Sequence, residues 1–190
     1  MSTGTDALPC LGVVLAGGQS RRMGCDKALL VWHDHPLIEH QLALLRATGV
    51  DDAVVSGTRP DYHGVADARA QAGPVSGLAG VAHARNGDMQ WLVIPVDMPL
   101  LQPALLQRLR AHQPQAPCLR FAGHVLPFRL RVDTRCRSVL DTLADGDDPR
   151  ARSLRTLQQT VGLAEIPLAP NEMTQLTDCN TEAVWNEVAR

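Results

Sequence analysis

The chain has almost no lysine. Of its 18 strongly basic side chains only Lys27 is a lysine, and all the others are arginine. Aromatic residues are scarce too, at 3% of the chain. Neither sign of charge is in excess, and the formal net charge is −2. A balanced chain of this kind has no general electrostatic drive toward nucleic acid or an anionic membrane surface. No apolar run approaches the ~20 residues that a membrane-crossing helix needs. The opening MSTGTDALP is polar and lacks the basic stretch of a secretory leader. Residues 1–9 therefore read as a flexible tail, and the chain as cytoplasmic. The five cysteines (Cys10, Cys25, Cys118, Cys136 and Cys179) are odd in number and form no C-x-x-C pair. This argues against a zinc site or a disulfide framework and for a reducing compartment. No internal repeat or low-complexity segment appears. The 190 residues read as one domain, long enough to bury a full core.

What is present is concentrated between Leu11 and Leu30, in LGVVLAGGQSRRMGCDKALL. The apolar run Leu11 to Leu15 predicts a buried strand. It breaks at Ala16-Gly17-Gly18, where a backbone with almost no side chain can turn sharply or approach a ligand closely. Arg21 and Arg22 follow, then Gly24, and Asp26-Lys27 closes the loop. A strand that ends in a glycine turn exposes backbone N–H groups, which form an anion nest. Two guanidinium groups and one ammonium add positive charge, so the stretch reads as a polyphosphate cradle. The lone lysine falls where a compact point charge on a flexible stem suits a phosphate. Two common phosphate loops are excluded. Gly18 and Gly24 are too far apart for a P-loop and Ala28 follows Lys27; adjacent Gly17 and Gly18 do not fit G-x-G-x-x-G.

The loop resembles the signature of nucleotidyltransferases with the nucleotide-diphospho-sugar transferase fold. It is most similar to the molybdenum cofactor guanylyltransferase family, whose loop reads roughly L-A-G-G-x-S-x-R-M-G-x-D-K-x-L. Leu15, Ala16, Gly17, Gly18, Ser20, Arg22, Met23, Gly24, Asp26 and Lys27 carry the match.

Further along, His33-Asp34-His35-Pro36 predicts a solvated hairpin turn, with Pro36 opening a helix that runs to Thr48 and stops at Gly49. Ala53 to Ser56 predicts a second strand, and strand, helix, strand implies a parallel sheet with a right-handed crossover. A polar stretch from Gly57 to Ala72 leads into Gly73-Pro74-Val75-Ser76-Gly77-Leu78, which opens a helix to about Arg85. Trp91 to Val96 is the most apolar run and predicts a central strand. It ends at Asp97, where open α/β sheets bind ligands. One carboxylate facing a polyphosphate loop suits Mg²⁺, which takes one or two carboxylates and completes its shell with water and phosphate oxygens. Gln102 to His112 predicts a helix. Cys118 to Phe121 and Val125 to Phe128 predict the arms of a hairpin. Thr134 to Ala144 predicts another helix, and Val161 to Pro167 an edge strand. Thr181 makes a good N-cap for a last short helix. The fold class expected is a three-layer α/β/α, Rossmann-like, mostly parallel sheet.

The resemblance implies a function. The family's donor is GTP with Mg²⁺, its acceptor is molybdopterin, usually carrying molybdenum, and pyrophosphate is released. It implies catalytic roles for Lys27, Arg22 and Asp97, with Asp97 as the magnesium ligand. Leu15, Ala16, Gly17, Gly18, Lys27, Ser56, Asp67 and Asp97 would contact the nucleotide, and Arg22, Asn180 and Thr181 the pterin. Transient contact with molybdoenzymes or their chaperones is implied as well. Departures occur. Ser56 stands where the family often has asparagine. Asp178 replaces the first asparagine of N-x-N-T-P-E, and its proline is absent. A cytidylyltransferase on the same pterin, a nucleotidyltransferase with another phosphate acceptor, and a catalytically silent binding domain stay open at this point. Ala16-Gly17-Gly18, where the cytidylyl enzymes usually have A-A-G, favours GTP.

Overall fold

The structure is a computed structural model and describes residues 8–17, 26–112 and 116–189. The apolar runs become a six-stranded sheet in the order β4-β1-β5-β7-β6-β8. Its strands are β1 (Cys10–Leu15), β4 (Asp52–Ser56), β5 (Met89–Pro95), β6 (Cys118–Phe121), β7 (Phe128–Val132) and β8 (Leu163–Ile166). β1 pairs in parallel with both β4 and β5, and β6 pairs in parallel with β8. Only β7 runs against its neighbours. A small antiparallel hairpin, β2 (Val31–Trp32) and β3 (His35–Pro36), stands apart. His33 and Asp34 form its turn with positive φ, as a tight hairpin turn requires. The sequence is already sheet-bound at Pro9, whose carbonyl accepts from Gln90 N–H at 2.8 Å.

Alternate residues of each buried strand point to opposite faces, and the two faces bury separate cores. One core joins Val14, Val55, Leu92, Ile94 and Phe121 to helices α1 (Leu37–Ala47) and α3 (Pro103–Ala111). The other joins Val13, Val54, Trp91, Val93 and Leu130 to α2 (Pro74–Ala84), α4 (Thr134–Asp145) and α5 (Leu154–Val161). Trp185, on the last helix α6 (Glu182–Val188), packs against the first core. The expected three layers are therefore present.

Helices α4 and α5 begin at side-chain caps. Asp133 and Ser153 accept from Cys136 N–H and Thr156 N–H at the starts of α4 and α5. Pro36 precedes α1 as its cap rather than opening it as the first turn. One strand departs from expectation. The second arm of the hairpin is Phe128–Val132, not Val125 to Phe128. Its pattern Phe-Arg-Leu-Arg-Val hides a buried arginine: Arg129 is 5% exposed and donates to the His112 carbonyl at the end of α3. A cation is favoured there because the last carbonyls of a helix carry partial negative charge.

Candidate active site

β1 is the point where the strand order reverses, since the chain passes to β4 on one side and returns to β5 on the other. Ligands bind at the carboxyl ends of strands around such a point. The ends of β1, β4 and β5 are stitched together there. Ala16 N–H donates to the Ser56 carbonyl at 3.0 Å, and Val96 N–H to the Leu15 carbonyl at 3.1 Å. Two groups of residues flank this seam.

The first is a cleft of about 720 Å³ lined by Leu15, Ala16, Gly17, Ser56 and Asp67 and by the opening of α2 at Gly73, Pro74 and Gly77. Glycine is needed at two points. Gly57 has φ +125, and a Cβ there would lie 2.9 Å from the Gly17 nitrogen. A Cβ on Gly77 would collide with the Ser56 hydroxyl. The α2 helix therefore packs directly on the end of β4, and Ser56, 2% exposed, fills the corner. Asp67 faces the same corner, with no ion pair among the described residues. Burial pushes its carboxyl above the ordinary value.

The second group lies at the end of β5. Lys27 Nζ is 3.2 Å from Asp97 Oδ2 and donates also to the Asn180 side-chain oxygen. The Lys27 and Asp97 side chains are 13% and 19% exposed. Residues 70 and 153 positions away from Lys27 in the chain thus converge on one ammonium. Cys179 N–H donates to the Asp97 carbonyl at 2.8 Å and anchors the tail that carries Asn180. Burial, with Asp97 and Asp178 adding, pushes the Cys179 thiol up to about 11, so it stays protonated. From behind, α1 holds the turn after Asp97. Gln41 donates to the Met98 carbonyl at 2.8 Å, and His40 Nε2 to the Pro99 carbonyl at 3.1 Å.

The donors at Asp97 suit a hard divalent cation. They are a carboxylate and an amide oxygen, and no group of three or more His, Cys, Asp or Glu gathers among the described residues. A site this sparse fits Mg²⁺, which keeps its waters and relies on substrate phosphates.

Of the residues singled out in the sequence, Leu15, Ala16, Gly17, Ser56 and Asp67 share the cleft, and Lys27, Asp97 and Asn180 share the second group. Thr181 caps α6 by accepting from Val184 N–H. Gly18 and Arg22 lie outside the described residues. Sequence reasoning missed Arg59, which lines the cleft and grips Asp26 and Ala16. It missed also the part of His40 and Gln41 in holding the Asp97 turn. Gln41 did carry a signal, as the one amide on an otherwise apolar helix face.

Residues 12–161 match the model of the MobA-like NTP transferase domain. The chain is 44% identical to the molybdenum cofactor guanylyltransferase of Xanthomonas euvesicatoria pv. vesicatoria, over 95% of this chain and 94% of that one. It is 35% identical to the protein of the same name from Pseudomonas syringae pv. tomato, over 79% and 81% of the two chains. Among solved structures, a nucleotidyl transferase from Methanothermobacter superposes with a TM-score of 0.71 at 19% identity, over 95% and 96% of the chains. Molybdopterin-guanine dinucleotide biosynthesis protein A from Archaeoglobus fulgidus superposes with a TM-score of 0.69 at 16% identity, over 94% and 96%. These structural likenesses establish the nucleotide-diphospho-sugar transferase fold. The extent of the sequence match adds the kinship: this chain belongs to the family of MobA-like NTP transferase domains.

Proposed function

We propose that this chain transfers GMP from GTP to the phosphate of molybdopterin, a reading supported by the name molybdenum cofactor guanylyltransferase that its relatives carry. The observation that carries the reading is the seating of Lys27 on Asp97 at the end of the central strand, beside a cleft with its own carboxylate. A phosphate monoester on the acceptor ionises near neutral pH, with a second pKa of about 6, so it needs no general base to become a nucleophile. One of its oxygens attacks the α-phosphorus. The bond from that phosphorus to the bridging oxygen breaks, and pyrophosphate leaves.

The residues divide this work. Lys27 neutralises phosphate charge. The Gly17 N–H, the first beyond the bond that ties Ala16 to Ser56, orients the triphosphate. Asp67 accepts N–H donors of the base, and the guanine edge offers two side by side. Asp97, with Asn180 nearby, would hold Mg²⁺, which supplies further charge neutralisation at the phosphates. Catalysis then rests on positioning and electrostatic stabilisation.

The test is pyrophosphate release from each of GTP, CTP, ATP and UTP with Mg²⁺ and molybdopterin, together with thermal melting in each triphosphate. A ligand at a hundred times its Kd stabilises by roughly 2.7 kcal/mol. Release and stabilisation selective for GTP are expected. Selectivity for CTP would convert the assignment to a cytidylyltransferase.

A further inference from the structure

Arg59 sits at the rim of the nucleotide cleft, and its guanidinium bridges the two flanks of the glycine-rich segment. On one flank, Nε and Nη2 donate to the Ala16 carbonyl at 3.3 and 3.0 Å. On the other, Nη2 donates to Asp26 Oδ1 at 2.8 Å, and Nη1 pairs with Asp26 Oδ2. A guanidinium has five N–H donors. Four of them are engaged in these bonds. Little capacity is left for a phosphate, so this arginine acts through its neighbours.

Those neighbours lead to Lys27. Asp26 Oδ1 accepts also from Ala28 N–H at 3.1 Å, which caps the 3₁₀ turn Lys27–Leu29. An unbroken set of bonds therefore runs from the end of β1 through Arg59 and Asp26 to the turn that carries the ammonium. The arginine's own loop is fixed as well. Val65 N–H donates to the Val55 carbonyl and Gly57 N–H to the Val65 carbonyl, both at 2.8 Å, which fold the segment after β4 back onto the strand end. The pairing has a charge consequence too. Asp26 is adjacent in sequence to a residue that meets a polyanion. Its carboxylate is cancelled only by Arg59 among the described residues.

We infer that Arg59 is a positioning residue for triphosphate binding: it latches Asp26 to Ala16, so setting where Lys27 stands and masking a carboxylate that would repel the phosphates. The inference rests on the reading of the site as a GTP site.

The experiment compares the wild type with Arg59→Lys, Arg59→Ala, Asp26→Asn and the double variant Arg59→Ala/Asp26→Asn. The readouts are KM and kcat with GTP, and hydrogen exchange at the Ala28 amide in the free protein. Arg59→Ala is expected to raise KM for GTP at least about tenfold, the weight of a charge-assisted, two-pronged contact. KM should change more than kcat, and the Ala28 amide should exchange faster. Arg59→Lys keeps the charge and the stem but not the planar fork, and should recover only part of the loss. The double variant removes the exposed carboxylate, so its KM should improve on that of Arg59→Ala while the Ala28 amide stays fast. Wild-type KM and exchange in Arg59→Ala would overturn the latch, as would a double variant no better than the single one. If the wild type itself neither binds nor uses GTP, the proposed function is what fails. Exchange at Ala28 needs no ligand and still decides the latch.

Discussion

Lys27 and Asp97 oppose each other across 3.2 Å, and removing either leaves a different residue behind. In Asp97→Ala the ammonium keeps the Asn180 oxygen as an acceptor, so the fold has little to lose. On the proposed function the reaction loses the carboxylate that would hold Mg²⁺ against the phosphates, and a single positive group of that kind is worth roughly 3 kcal/mol of barrier. Turnover should therefore fall at least about a hundredfold, while the melting midpoint moves little; pyrophosphate release and circular dichroism measure the two. The other site carboxylates respond to acid in opposite senses. The hydrogen bond from Arg59 holds Asp26 below the ordinary carboxylate range. Its stabilising contribution is thus complete above its unfolded value of ~4 and is lost as pH falls through the lower folded value. Asp67 is raised by burial, so the folded protein takes up its proton more readily and acid favours the fold through that group. Urea midpoints between about pH 5 and 3 should fall less steeply in Asp26→Asn and more steeply in Asp67→Asn.

Helix α1 does two things at once, and the sequence shows only one of them. Its leucines and isoleucine build the core, while His40 and Gln41 hold the turn after β5 by its carbonyls. Gln41 is fully buried, and its own side-chain oxygen has no partner. Gln41→Leu removes that unsatisfied oxygen but also strips the Met98 carbonyl of its donor. These effects oppose each other, so stability should shift by less than about 2 kcal/mol. The Asp97 turn loosens, and kcat should fall by more than that shift explains; paired melting and turnover measurements check this. Legibility in the sequence follows the same division. β1, β4 and β5 and the helices around them announce themselves through apolar runs and spacing. β7 has no apolar run; its alternation of Phe128, Leu130 and Val132 with two arginines reads as a half-solvated strand, and only the carbonyl of His112, 17 residues earlier, explains why Arg129 can be buried. Lys27 and Asp97 stand out as a unique lysine and a strand-end carboxylate. Arg59 is one arginine among many, and its partners lie 33 and 43 residues away. Pairings across such separations exist only once the sheet has assembled.

The molecule keeps its candidate site groups at the carboxyl ends of the strands and its packing on both faces of the sheet. Phe121 illustrates the separation. It is fully buried beneath α3, with the Arg108 guanidinium 5.4 Å from its ring, and it lies outside the cleft lining. Phe121→Ala should cost about 3–5 kcal/mol of stability, seen as a lower denaturant midpoint. The protein that remains folded should keep its KM for GTP. A raised KM would show that the core and the cleft are coupled through the sheet. No helix among the described residues is long and apolar enough to cross a membrane.

The scarcity of lysine has a practical consequence. The chain carries one ε-amine, and that amine lies between Asp97 and Asn180. Reductive methylation with carbon-13 formaldehyde would place a single side-chain resonance at the centre of the site, without any engineered mutation. Its chemical shift would follow nucleotide and metal titrations directly, in a spectrum with no other lysine signal to assign.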